Sequence, residues 1–337
     1  MERRPVLPVM RTGLTYVLAF RAAGDEDIDE LAAYLKLVVD RVDELIVVNG
    51  SEDPQWQEHD DRWGSYCTHL KPRPDLNFLN GKVDGVITGL EAASSEKVVV
   101  ADDDVRYDAA SLARLATLLD SYDLVIPQNY FAEYPWHALW DAGRSLLNRA
   151  LARDFPGTLG VRRATFMQAG GYDGDVMFEN LEMIRTIEAA GGRVCAPLDL
   201  LVERRPPEAG RFFSQRVRQA YDEFALPGRL MFFLSIVPAV ALVSRTGKKR
   251  WLGGAVGATV LLAEFGRRRG GGTRVFPVAA SLMAPLWLLE RGVCMWLALL
   301  ERVRGGIPYR GRRIPVAAHS RRTIAARLPY LWARSRL

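Results

Sequence analysis

Three aspartates in a row, Asp102-Asp103-Asp104, follow directly on the apolar run Val98-Val99-Val100-Ala101. Adjacent carboxylates repel unless a positive charge neutralises them. A hard divalent cation such as Mn2+ or Mg2+ takes carboxylate oxygens and commonly keeps phosphate oxygens as further ligands. Alternate residues of an extended chain project to one side. Asp102 and Asp104 are therefore the expected metal pair, with Asp103 a neighbour beside the bound cofactor. The metal would neutralise a diphosphate leaving group. One of the three has a second reading, since Asp104 ahead of a helical stretch at 107–119 fits a helix N-cap. A cap leaves the other two unexplained.

Such a site needs a scaffold that gathers residues far apart in sequence. Segments 14–20, 44–48, 97–101 and 124–127 read as short apolar strands. Segments 28–39, 83–93 and 111–119 carry apolar residues at helical spacing. Strands alternating with helices predict an α/β fold with a mostly parallel sheet, whose ligands bind beyond the carboxyl ends of the strands. Arg21, Asn49 and the three aspartates all follow strand ends.

The 337 residues are 49% hydrophobic and 25% charged, which suits a globular chain and excludes a disordered one. The net charge of +5 hides an asymmetry. After Glu301 no acid occurs, while arginine stands at 302, 304, 310, 312, 313, 321, 322, 327, 334 and 336. A one-sign stretch fits an anionic membrane surface or a solvated tail. Stacking aromatics are sparse there, so no nucleic-acid partner is expected. Cys67, Cys195 and Cys294 lack disulfide or metal spacing and read as reduced thiols. The start Met1-Glu2-Arg3-Arg4-Pro5 has no apolar core behind it, so the catalytic region is expected in the cytoplasm.

From residue 227 onward the pattern changes. Segments 228–243 and 251–265 are apolar but shorter than the roughly 20 residues of a spanning helix. Segment 275–300 is longer and carries Glu290-Arg291 within it. Basic clusters at 245–250 and 267–274 argue against three full spans. In-plane or re-entrant helices with two true spans are expected, or else a buried helical unit. The organisation read from this is residues 1–226 as the α/β domain, 227–304 as membrane-associated helices and 305–337 as an Arg-rich tail. Trp136 and Trp140, four residues apart, share one helical face, either at a membrane boundary or in a core.

Over about residues 14–225 the chain resembles family 2 of the inverting glycosyltransferases, which have a GT-A fold. Ile46-Val47-Val48-Asn49-Gly50-Ser51-Glu52-Asp53 resembles the strand end that holds the nucleoside. Asn80-Gly81-Lys82 with Gly89-Leu90 resembles the helix start near the nucleotide, and Asp102-Asp103-Asp104 the Asp-x-Asp metal motif. Gly157-Thr158-Leu159-Gly160 and Gly170-Gly171-Tyr172-Asp173 resemble the acceptor-side loop. Phe178-Glu179-Asn180-Leu181-Glu182 stands where the family has a Glu-Asp pair opening a helix. Gln215-Arg216-Val217-Arg218-Gln219 resembles Gln-x-x-Arg-Trp, a motif that membrane-embedded members carry just before their membrane helices.

The resemblance implies a hexosyltransferase that uses a UDP- or GDP-sugar and a divalent metal at a cell membrane. Arg21, Asn49, Asp53, Lys82 and Asp103 would border the nucleotide, and Gln215 and Arg218 would steady the diphosphate. Glu179 or Glu182 would be the general base. Three departures stand out. Asn49 and Asn180 replace aspartates, and Gln219 replaces the tryptophan. Asn180 cannot accept a proton at neutral pH, which favours an acceptor that is already anionic, such as a lipid or polyprenyl phosphate. A nucleotidyltransferase of similar fold and a catalytically inactive membrane scaffold are the alternative readings.

Overall fold

The computed structural model describes residues 11–22, 24 and 27–334. Met1 to Pro5, Arg336 and the Arg334 side chain lie outside the described residues.

Strands β1 (Leu14–Phe20), β2 (Glu44–Asn49), β3 (Thr68–Leu70) and β4 (Lys97–Ala101) lie parallel in the order β3-β2-β1-β4. The sequence Leu-Thr-Tyr-Val-Leu-Ala-Phe of β1 is buried on both faces, as a central parallel strand must be. Helices α1 (Ile28–Val39), α2 (Gln55–Trp63) and α3 (Gly81–Ala92) make the crossovers. Asn80 caps α3 by accepting the Lys82 N–H. Gly89 lets α3 lie against the sheet, because a Cβ there would stand 2.3 Å from Val17 Cγ1.

Beyond β4 the chain turns through β5 (Val105–Arg106), α4 (Ala109–Leu118), β6 (Leu124–Val125), β7 (Gln128–Phe131) and α5 (Trp136–Leu151). It returns through β8 (Thr158–Arg162), α6 (Arg163–Gln168), α7 (Glu179–Ala189), β9 (Val194–Cys195) and β10 (Leu201–Arg204). β8 inserts antiparallel between β4 and β6, and β9 closes the seven-stranded sheet. Segment 157–160, read as part of an acceptor-side loop, is thus mostly a strand. Its apolar Leu159 is buried in the core and Gly160 packs on Leu115. A small sheet, β5-β10-β7, stands beside the main one. Asp104 is not a helix cap: Asp108 and Ser111 form the capping box that starts α4.

After α8 (Ala209–Tyr221) come three apolar helices, α9 (Pro227–Arg245), α10 (Arg250–Arg268) and α11 (Val278–Val303). They share a core with the α/β region: Ala142 and Leu146 of α5 and Tyr221 of α8 pack with Phe233, Ala263, Ala284 and Trp287. Gly143 brings α5 to backbone contact with α11, its would-be Cβ lying 2.8 Å from Ala284 Cα. Among the described residues two helices are long and apolar enough to cross a membrane. α9 has 19 residues at mean hydropathy 1.7, and α11 has 26 at 1.4. α9 reaches this length because the helix begins at Pro227 and runs on to Arg245, beyond the apolar stretch visible in sequence.

The Arg-rich end is folded as far as it is described. β11 (Ile307–Tyr309) and β12 (Arg312–Ile314) form a hairpin, and α12 (Arg321–Arg334) follows. Segment 316–317 pairs with the chain just ahead of α7, where Met177 and Phe178 N–H donate to the Val316 and Ala317 carbonyls at 2.9 and 2.8 Å.

Candidate functional site

A cleft of roughly 1040 Å3 opens at the carboxyl ends of β1, β2 and β4. Its floor includes Phe20, Arg21, Val48 and Gly50, its near wall Gly81, Lys82 and Glu179, and its centre Asp102, Asp103 and Asp104. The far side is made by Arg204, Arg205, Gln215 and Arg218, and by Tyr309 and Arg310 of the hairpin. This volume is at the upper end for small-ligand sites.

The three aspartates do not lie on extended chain. They make a turn in which the Val105 N–H donates to the Asp102 carbonyl at 3.2 Å. Strand alternation does not apply at this turn, yet all three residues line the cleft. Asp102 pairs with the Lys82 ammonium, which also reaches Glu179 Oε1 at 2.7 Å. Burial alone would lower the Lys82 pKa, but Asp102 and Glu179 outweigh it and hold the amine well above the usual lysine value. Asp104 Oδ2 accepts from Arg204 Nε at 2.8 Å. Its other oxygen, Oδ1, is buried without a hydrogen-bond partner. A carboxylate oxygen left so is costly unless something positive meets it. Gly157 leaves room beside Asp102, since a Cβ there would lie 2.5 Å from Asp102 Oδ2. These features fit a divalent cation. Among the described residues no group of three or more His, Cys, Asp or Glu could hold one alone. Two carboxylates and a ligand's phosphate oxygens would have to share it.

Two of the expected nucleotide contacts sit elsewhere. Asn49 is fully buried beneath the floor. Its amide nitrogen donates to His59 Nδ1 at 3.0 Å and His69 Nε2 at 3.2 Å, and its oxygen accepts the Ser51 N–H at 2.9 Å. All its polar atoms are used inside the protein. An aspartate could not make the two donations, which explains the asparagine. Asp53 is exposed, pairs with Lys71 at 3.5 Å, and does not line the cleft.

The acidic pair on α7 divides. Glu179 faces the cleft. Glu182 is 1% exposed, with both oxygens engaged by His319, one by its N–H at 2.7 Å and one by Nδ1 at 2.9 Å. Its role as a base is corrected accordingly: it anchors the chain after β12. Asn180 donates to the Pro156 carbonyl at 3.1 Å, a bond an ionised aspartate cannot make. Gln215, Arg218 and Gln219 reach the cleft wall, and Gln219 Oε1 accepts from Arg216. Arg216 in turn is buried against Asp141 at 2.9 Å.

Sequence reading missed Glu30, Arg106, Arg204 and Arg205. Arg205 reaches Glu30 at 2.8 Å, and Arg106 closes the same carboxylate. Burial alone would raise the Glu30 pKa; the two arginines overcome it and hold the carboxyl below its ordinary value. The one available signal was Arg204-Arg205 following a strand end. Trp136, about half exposed, joins Trp140, Phe212 and Phe213 in an aromatic cluster at the rim, where Phe212 lines the cleft.

No family model matches the sequence, and no curated protein matches it. Among solved structures, the chain is similar to a mannosyltransferase from Pyrobaculum calidifontis in complex with GDP-Man and Mn2+. The identity is 15% over 88% of each chain, with a TM-score of 0.50. It is also similar to glucosyl-3-phosphoglycerate synthase from Mycobacterium tuberculosis, at 18% identity over 62% of this chain and 76% of that one, with a TM-score of 0.41. The fold is that of the GT-A glycosyltransferases.

Proposed function

We propose that the protein is an inverting glycosyltransferase of the family 2 type. It moves a hexose from a UDP- or GDP-sugar to a lipid-linked or membrane-proximal acceptor. The observation that carries this reading is the buried, unpartnered Asp104 Oδ1 in a cleft at the strand ends. The bound GDP-Man and Mn2+ of the Pyrobaculum mannosyltransferase are in keeping with it.

Asp104 and Asp102 would hold Mn2+ or Mg2+, which would draw negative charge off the departing diphosphate. Lys82, Arg204 and Arg205 supply fixed positive charge around it, and Gln215 and Arg218 close the wall opposite. Arg21 and Asp103 border the nucleotide. Asn49 supports that floor from below rather than touching the base, and Asp53 lies outside the contact.

Glu179 is the candidate base, being the acid of α7 that faces the cleft. Lys82 pairs with it at 2.7 Å, and an anionic acceptor oxygen would need no base. The uncovered apolar face of α9 and the length of α11 support a site held at a membrane, with the α/β region in the cytoplasm. Nearby basic residues would add attraction to an anionic leaflet, about 1 kcal/mol each.

A panel of UDP-, GDP- and dTDP-sugars, followed by thermal shift with and without Mn2+, tests the reading. Metal-dependent stabilisation by at least one donor is expected. Absence of any such shift across the panel refutes it.

A further inference from the structure

Most arginines around the cleft already face a carboxylate. Arg21 lies 3.6 Å from Glu52, Arg204 pairs with Asp104, and Arg106 and Arg205 share Glu30. Arg218 and Arg310 differ, for neither forms an ion pair among the described residues. Both line the cleft, and both stack their guanidinium on the ring of Tyr309, each 5.8 Å from its centroid.

Arg310 is also held at a cost. It has φ +45°, the sole positive φ at a non-glycine among the described residues. Gly311 follows at φ +77°, so the two form the tip of the β11–β12 hairpin. Such tips ordinarily take Asn-Gly or Gly-Gly, because most other residues are strained there. The hairpin is fixed in place. The Tyr221 hydroxyl donates to the Pro315 carbonyl at 2.7 Å, and Arg313 pairs with Glu301 at 2.8 Å. Arg310 is exposed where it lines the cleft, its backbone is strained, and it has no counterion among the described residues, a placement open to an anion from outside. A guanidinium group suits a phosphate, whose oxygens it can bind in forked geometry.

We propose that the hairpin tip, through Arg310 and Tyr309 with Arg218, is a subsite for a phosphate monoester on the acceptor. This rests on the glycosyltransferase reading and adds the chemical class of the acceptor. Arg310 is the discriminating residue, because Arg218 also borders the donor's diphosphate. The phosphate can belong to a lipid or to a small soluble acceptor.

The test uses the full chain in detergent with Mn2+. Calorimetry first measures binding of GDP and UDP, then of farnesyl phosphate, glycerol 3-phosphate and farnesol to the nucleotide complex. Arg310→Asn removes the cation while keeping a residue that accepts positive φ. It should weaken the favoured phosphate probe about tenfold or more, as loss of a charge-assisted contact does, and leave nucleotide binding unchanged. Arg310→Lys should restore part of the affinity, and Arg310→Gly should lose it without lowering Tm. Preference for farnesyl phosphate over glycerol 3-phosphate assigns a lipid acceptor, and the reverse assigns a soluble one. If nucleotide binds but Arg310→Asn takes both phosphates as tightly as the wild type, the subsite is refuted. The same holds if wild type binds neither phosphate, or binds farnesol equally well. If no nucleotide binds, the glycosyltransferase reading itself falls, and this subsite with it.

Discussion

At the scale of single residues, the two asparagines that break the family pattern are explained by what they donate to. Asn49 feeds two histidine nitrogens and Asn180 a backbone carbonyl. Asn49→Asp would set a carboxylate against two imine lone pairs. It should cost about 1–3 kcal/mol, read by urea denaturation. The two acids of α7 should separate in kinetics. Glu182→Gln removes an acceptor from His319 and should lower Tm while sparing kcat in the folded fraction. Glu179→Gln should change kcat instead. Asp104→Asn should abolish the Mn2+-dependent part of nucleotide stabilisation, measured by thermal shift at saturating nucleotide.

At the scale of elements, the cleft is where helix starts and strand ends converge, and its walls are tied by ions. Glu30 joins α1 to β5 through Arg106 and to the end of β10 through Arg205. Its folded pKa lies below the ordinary glutamate value. The stability it adds is therefore complete above about pH 4.5 and is lost as pH falls through the lower folded value. Urea midpoints of the wild type and Glu30→Gln should differ at pH 7 and converge toward pH 3. The α3–β1 contact depends on the missing side chain at Gly89. Gly89→Ala would drive a methyl into Val17 and should cost about 1–3 kcal/mol, as overpacking does, seen as a lower Tm.

At the scale of the whole molecule, the apolar helices and the α/β region form one packed body through α5, α8 and α11. α9 nevertheless leaves much of its surface uncovered, with Phe232 52% and Leu242 64% exposed. Phe232→Asp with Leu242→Asp puts charge on that face without touching the core. The double variant should shift from the membrane to the soluble fraction on cell fractionation and keep its Mn2+-dependent nucleotide shift. Retention in the membrane fraction would mean that α9 is not what holds the protein there.

The sequence by itself determined what depends on neighbours along the chain. Four apolar residues before three acids announced a strand ending at a charged turn, and alternating apolar runs announced the parallel half of the sheet. The Asn80-Gly81-Lys82 helix start was legible for the same reason, since a cap and its helix are local. What only tertiary structure decided depends on residues brought together across long separations. β8 reads as a loop until it is seen wedged between β4 and β6. Glu182 reads as a candidate general base until His319, 137 residues away, is found on both its oxygens. Asn49 reads as a nucleoside contact until His59 and His69 are found beneath it. The Arg-rich end reads as a tail because charge alone does not show a hairpin, and its place in the cleft wall follows from pairing with the segment before Glu179. Side-chain types restrict which chemistry is possible, and the packing of distant elements assigns each group to the cleft or to the core.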